Sequence, residues 1–229
     1  MANPAQLLHA QLAAWDNNGA AKLSRLSDGE DSQAQLAHEL RIATMHLEAI
    51  REYLTSYDAA GGQASAMWWD ALDRWTLGLF LYPHGWEHAQ NESLAPSDLR
   101  LLQSLADLMQ NQIPVLEDGI QPAMREFLGR IRTTASSATT DPHLARYLNN
   151  ITNHVEWCLN NFDQVGEFEL EKAWTHLAAT IALLEQSDQH TPSTWTTIRQ
   201  DWLNPFTVGS LAGMTGNLLA MQSMLMIGR

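Results

Sequence analysis

Cysteine is almost absent from this chain, with Cys158 alone among 229 residues. One thiol cannot form an internal disulfide framework or a four-thiolate zinc site, so we expect a reducing, cytoplasmic compartment. Basic side chains are also few, with 13 Lys and Arg against 26 Asp and Glu and a formal net charge of −13. Because nucleic-acid backbones are bound by neutralising phosphate with Lys and Arg, the charge argues against direct nucleic-acid binding. It favours another protein, or a homo-oligomer, as the partner.

Several common sequence signals are missing. No alternating apolar run predicts a β-strand, and no repeat of fixed period occurs. The first residues lack the basic region and apolar core of a secretory signal, so Met1 is expected to be the mature start. G-x-S-x-G, Walker A and G-x-G-x-x-G motifs are absent as well. These absences favour a non-enzymatic protein.

Apolar residues instead recur at helical spacing. Between Ser32 and Tyr57 they fall in steps of three and four, and a second such stripe runs from Leu144 to Val165. Asn3-Pro4 matches a capped helix start, and Ser32 with Gln35 matches a capping box. We predict one all-α domain over residues 1–229, with about eight or nine helices packed mainly antiparallel. An exposed loop is predicted near 133–141 and an apolar helix over 205–228.

A helix predicted over residues 63–82 has an aromatic inward face. Gly78 lies inside this helix at a cost of up to ~1 kcal/mol relative to Ala, which suggests that another backbone approaches closely there. Asp70 and Asp73 are three residues apart on the same helix, and a solvated face explains them.

One short motif could bind a metal. His84, Glu87 and His88 match H-x-x-E-H, the inverted zinc-protease pattern in which two His bind the metal and the Glu acts as base. No cofactor is expected if the protein is non-enzymatic. The alternative is a metal-dependent helical-bundle enzyme that uses a divalent metal such as zinc, held by these residues or by an interior His cluster. The members of that cluster would be His38, His46, His154 and His176, with Glu39, Glu48 or Glu156.

Residues 27–50 resemble the opening helix of DinB-like bundles, a metal-dependent superfamily. The resemblance implies a metal ligand at His38. The His-x-x-x-His pair that this family carries late in its bundle has no counterpart here, so no ligand set is taken from the resemblance.

Tryptophan is abundant, with nine in the chain. Trp69, Trp86 and Trp157 fall outside the predicted core stripes, and a surface Trp tends to mark an interface hot spot. The preferred hypothesis is therefore a helical protein–protein interaction module: a subunit, adaptor or inhibitor in a larger assembly. The predicted partner-binding residues are Trp86, Trp157, Met221 and Met224, since methionines supply adaptable apolar surface.

The C-terminal stretch supports a second alternative. Residues 202–228 contain no charged side chain and are long enough to span a bilayer. Polar residues such as Asn204, Asn217 and Gln222 argue instead for a buried or docking helix. Membrane activity through residues 205–228 stays open as an alternative.

Overall fold

A computed structural model describes residues 3–15, 20–26, 31–61, 66–82, 85–87, 94–110, 120–137, 142–187 and 192–203. Within these ranges the chain forms nine α-helices and one π-helical turn, Ile198–Leu203, and no β-strand. The predicted all-α fold is thus confirmed. The helices are α1 (Pro4–Trp15), α2 (Ala21–Arg25), α3 (Ser32–Ala59), α4 (Ala66–Phe80), α5 (Pro96–Gln110), α6 (Ile120–Ser137), α7 (Pro142–Asn160), α8 (Phe162–Ser187) and α9 (Pro192–Thr197).

The chain divides into two compact units. Helices α1 to α5 belong to the unit Ala2–Gln112, and α6 to α9 with the π-helical turn belong to Ile113–Arg229. The sequence predicted one domain over residues 1–229, and that organisation stays a prediction. The predicted apolar helix over 205–228 lies outside the described residues.

The N-terminal unit begins with a fully formed cap. The Asn3 side chain accepts a hydrogen bond from the Gln6 amide at 2.9 Å, and the Gln6 side chain accepts one from the Asn3 amide at 3.1 Å. This reciprocal pair satisfies two amides that the first helical turn leaves without partners. Asn3 also donates to the carbonyl of Ala106 at 2.8 Å, which ties the start of α1 to α5.

Helix α3 confirms the predicted stripe but not its predicted cap. Ala43, Leu47, Ile50 and Leu54 are buried. Ser32 is the first helical residue rather than the cap, and Asp31 in the cap position makes no side-chain capping hydrogen bond. The capping-box prediction was therefore wrong, because the helix begins one residue earlier than that motif requires.

Helices α4 and α5 pack antiparallel. Trp75 Nε1 donates to the Asp98 carbonyl at 3.0 Å, and Gly78, one turn further along α4, lies against Leu94, just before α5. A Cβ on Gly78 would come within 2.7 Å of Leu94 Cγ. The close approach predicted at this glycine is confirmed, but the neighbour is a side chain and not a backbone.

The C-terminal unit is built on three successive antiparallel helices. Arg125 at the start of α6 donates to the Leu159 carbonyl at the end of α7, and Arg132 further along α6 bonds Glu156. Helix α6 continues through Ser137, which corrects the loop predicted near 133–141 for its first five residues. Residues 138–141 of that predicted loop lie outside the described ranges.

Helices α7 and α8 form the predicted hairpin. Gly166, with φ 73° and ψ −176°, interrupts the helical backbone in a conformation that is essentially restricted to glycine. Beyond it the predicted stripe of α8 is completely buried. Its members, each 1% exposed or less, are Leu170, Trp174, Leu177, Ile181 and Leu184.

Candidate protein-interaction surface

The chain around Trp86 is held to α2 by its backbone. Residues 85–87 follow α4, with Gly85 at φ +85° and a turn at Trp86 and Glu87. The Trp86 carbonyl accepts a hydrogen bond from the Lys22 amide at 3.1 Å, and Lys22 Nζ pairs with Glu87 at 2.9 Å. The Trp86 ring stands edge-on to Tyr82 at 5.0 Å and is half-buried. Only part of the Trp86 side chain is therefore accessible to a partner, and its role in partner binding stays a prediction.

Arg25, the last residue of α2, holds the end of α4 in place. Its guanidinium lies 4.8 Å from the centre of the Trp15 ring and 4.9 Å from that of Tyr82, with the residue only 6% exposed. It donates to the carbonyls of Gly78 and Leu79 at 2.8 and 2.7 Å. These carbonyls belong to the last turn of α4, which has no intrahelical partners for them. Burial lowers the pKa of Arg25, and its contact with Tyr82 opposes that shift.

The outer side of this anchored end is apolar and exposed. Leu77, Phe80 and Leu81 have 53%, 51% and 51% of their surface accessible. Leu81 directly follows α4, and its amide bonds the Leu77 carbonyl at 2.7 Å, so the helical spacing places all three on one side. We call these three residues the α4 outer patch. The inward aromatic stripe predicted for this helix does not include these three residues. The available signal was that residues 77–82, LGLFLY, are apolar around the whole helix circumference, so some of them must face outward.

Trp157 occupies a different environment on α7. It is half-buried, and the His154 ring stacks on it with centroids 6.0 Å apart and planes 10° from parallel. Partial desolvation, together with His176 and Lys172 on α8, lowers the pKa of His154. The hairpin thus brings His154 and His176 near each other. The predicted partner role of Trp157 is not tested by this arrangement.

The carboxylates of the predicted interior His cluster have other partners. Glu156 pairs with Arg132 at 2.6 Å, Glu48 pairs with Arg51, and Glu39 accepts a hydrogen bond from Gln35 at 2.9 Å. Among the described residues, no three His, Cys, Asp or Glu side chains are grouped so that they could hold a metal ion. His38, to which the DinB-like resemblance assigned a ligand role, contacts Arg41 at 3.2 Å through Nδ1.

The H-x-x-E-H motif is only partly described. His84 and His88 lie outside the described residues, so their role as metal ligands stays a prediction. Glu87 is paired with Lys22, and Gly85 has a positive φ. The zinc-protease pattern places its two His one turn apart on a helix, and a residue at φ +85° is not helical.

Cys158 is not placed as a nucleophile, although His154 Nε2 lies 4.0 Å from its sulfur. The side chain is buried, and this burial, together with the nearby Glu169, raises the pKa of the thiol to about 12. Nucleophilic cysteines need the thiolate, which a lowered pKa supplies. The Cys158–His154 contact is therefore structural.

The remaining predicted residues fall in the C-terminal stretch. Met221 and Met224 lie outside the described residues, as does the segment 205–228 of the membrane alternative. Within the ranges that are described, no helix is both long enough and apolar enough to cross a bilayer. The chain was also compared with protein-family models, curated proteins and solved structures, and it matches none of them.

Proposed function

We propose that this chain is a non-enzymatic helical interaction protein, a subunit, adaptor or inhibitor that binds another protein through the α4 outer patch. The observation that carries the proposal is the exposure of Leu77, Phe80 and Leu81 within about one helical turn. Single exposed apolar side chains are ordinary, whereas contiguous ones mark interaction sites. Covering all three would release their hydration water together, which is the main driving force of association.

The anchoring of the patch also supports this function. Arg25 holds the last carbonyls of α4, and the Trp86 turn is hydrogen-bonded to α2. A patch on a fixed backbone loses little conformational freedom when it is covered, so more of the gross contact energy is available as affinity. No described feature favours the metal-dependent or the membrane alternative strongly enough to propose either.

Site-specific photo-cross-linking tests the proposal. The Phe80→p-benzoylphenylalanine variant, irradiated in intact cells, is expected to give one discrete adduct that contains a second protein. The matched control is Gln103→p-benzoylphenylalanine, at an exposed position of α5 in the same unit. The proposal fails if position 80 yields no adduct, or if both positions yield the same collection of adducts.

A further inference from the structure

The α4 outer patch is continuous with an acidic surface on the same helix. Asp70 and Asp73 are exposed, and neither makes a hydrogen bond or an ion pair in the described part of the chain. With about 100° of rotation per residue, these two carboxylates and the three patch residues share an arc of roughly 100°. Asp70 lies about 10 Å from Leu77 along the helix axis, at a rise of about 1.5 Å per residue. One face of α4 is thus acidic in its first half and apolar at its end.

The basic side chains that the structure describes near this acidic half are paired with other carboxylates. Arg74 is the basic residue within α4, and its guanidinium pairs with Asp98 at 2.9 Å. Lys22, near the apolar end, pairs with Glu87 at 2.9 Å. The charges of Asp70 and Asp73 therefore add to the net charge of −13 carried by the whole chain.

From the acidic and apolar halves of this face we infer that α4 binds an amphipathic helix of a partner protein. The apolar residues of that helix cover the α4 outer patch, and its Lys or Arg residues lie about two turns away, opposite Asp70 and Asp73. This inference rests on the proposed function and specifies the partner's chemistry. A second copy of this chain fits less well. A self-complementary contact on this face would bring like carboxylates together or set them against Leu77 and Phe80, without a counter-charge.

A displayed library of amphipathic helical peptides, with charged positions randomised between Lys and Glu, provides the probe. It is selected on the full chain and counter-selected on the triple variant Leu77→Gln, Phe80→Gln and Leu81→Gln. This variant keeps the net charge, so peptides attracted only by overall acidity are removed. The recovered peptides are expected to carry Lys clustered at one end, beyond an apolar stripe with i, i+3, i+4 spacing.

Affinities of the recovered peptides give the decisive comparison. The Asp70→Asn, Asp73→Asn variant is expected to bind them at least 10-fold more weakly at low salt. The matched control is Asp107→Asn, Asp163→Asn, which changes the net charge equally at exposed sites elsewhere, and it should bind like the wild type. Equal weakening in both variants, recovery of neutral or acidic helices, or no enrichment would overturn the inference.

Two further results separate this inference from the proposed function. In the first, position 80 cross-links to a partner, but the selected peptides bind the Asp70→Asn, Asp73→Asn variant as tightly as the wild type. The proposed interaction surface is then supported, and the inference of a basic partner helix is overturned. If sedimentation shows a dimer of the wild type that the triple Gln variant abolishes, the occupant is a second copy, and the inference is overturned.

Discussion

Arg25 is the buried side chain on which the end of α4 depends most directly. Its guanidinium donates to two α4 carbonyls and to the Tyr82 hydroxyl, while its Nε has no hydrogen-bond partner among the described residues. We expect Arg25→Met to lower the free energy of unfolding by about 1–3 kcal/mol, because the buried Gly78 carbonyl loses its donor. The Leu79 carbonyl loses Arg25 but retains a hydrogen bond from the Tyr82 hydroxyl. Urea unfolding followed by circular dichroism measures the change.

Lys22→Met is the matched control for that variant. Lys22 lies on the same short helix as Arg25, and this substitution removes its exposed ion pair with Glu87. Exposed ion pairs contribute only about 0–1 kcal/mol. A loss in Arg25→Met no larger than that in Lys22→Met would contradict the capping role.

Glu171 gives the C-terminal unit a pH dependence. Burial raises the pKa of this carboxyl to about 7 from 4.5. The folded chain therefore binds the Glu171 proton more tightly than the unfolded chain does. The free energy of unfolding falls as pH rises from 4.5 to about 7. We expect Glu171→Gln to be more stable than the wild type by about 1–2 kcal/mol at pH 8 and equally stable at pH 4. Denaturant unfolding at both pH values checks this, and a difference of the same size at both would refute it.

Cys158 is expected to be chemically silent in the folded chain. With its pKa raised to about 12, the thiol is protonated at pH 8, and it is also buried. A thiol reagent such as dithionitrobenzoate should react slowly with native protein and rapidly, with one equivalent, in urea. Fast labelling of the native chain at pH 8 would show an accessible thiolate instead.

Periodicity in the sequence was sufficient to predict the long helices but not the short or atypical ones. The stripes of α3, α7 and α8 recur in steps of three and four, and burial follows them. Helix α2 has only five residues, too few for a period. The Ser/Thr-rich sequence at the end of α6 predicted a loop, yet the Thr133 hydroxyl donates to the Gly129 carbonyl one turn back. Its hydroxyl is thereby satisfied within the helix.

Gly78 tests how α4 packs against the chain entering α5. Ala at this position would place Cβ 2.7 Å from Leu94 Cγ, a branch point that cannot swing aside as a chain end could. We expect Gly78→Ala to cost about 1–3 kcal/mol of stability, and most of that cost to disappear in a Leu94→Ala background. A double-mutant cycle by urea unfolding measures both.

Gly129→Ala is the control for a helical glycine without such a neighbour. A Cβ added at this position of α6 would meet no atom of the described residues within 4 Å, so Ala should stabilise the helix by about 0.5–1 kcal/mol. If Gly78→Ala were stabilising to the same extent, that result would contradict the close packing of Gly78 against Leu94.

At the scale of the whole molecule, the spacing of apolar residues predicted the fold class but did not predict the α4 outer patch. The excess of Trp favoured Trp86 and Trp157 as partner-binding residues, yet both are half-buried. The α4 outer patch depends on which side of α4 its neighbours cover, and that is decided by Arg25, Leu94 and α5, which lie outside α4 in sequence. Spacing within one helix could not supply this information.

Hydroxyl-radical footprinting is the most direct test of the α4 outer patch as a protein-binding site. Oxidation of residues 77–81 is compared between the purified chain and the same chain in an extract of the cells that make it. Tyr147 and Leu183, which are exposed to a similar degree at 52% and 49%, serve as internal controls. We predict several-fold protection of residues 77–81 in the extract and unchanged oxidation at the two controls. Equal oxidation of residues 77–81 in both samples would contradict the proposed function.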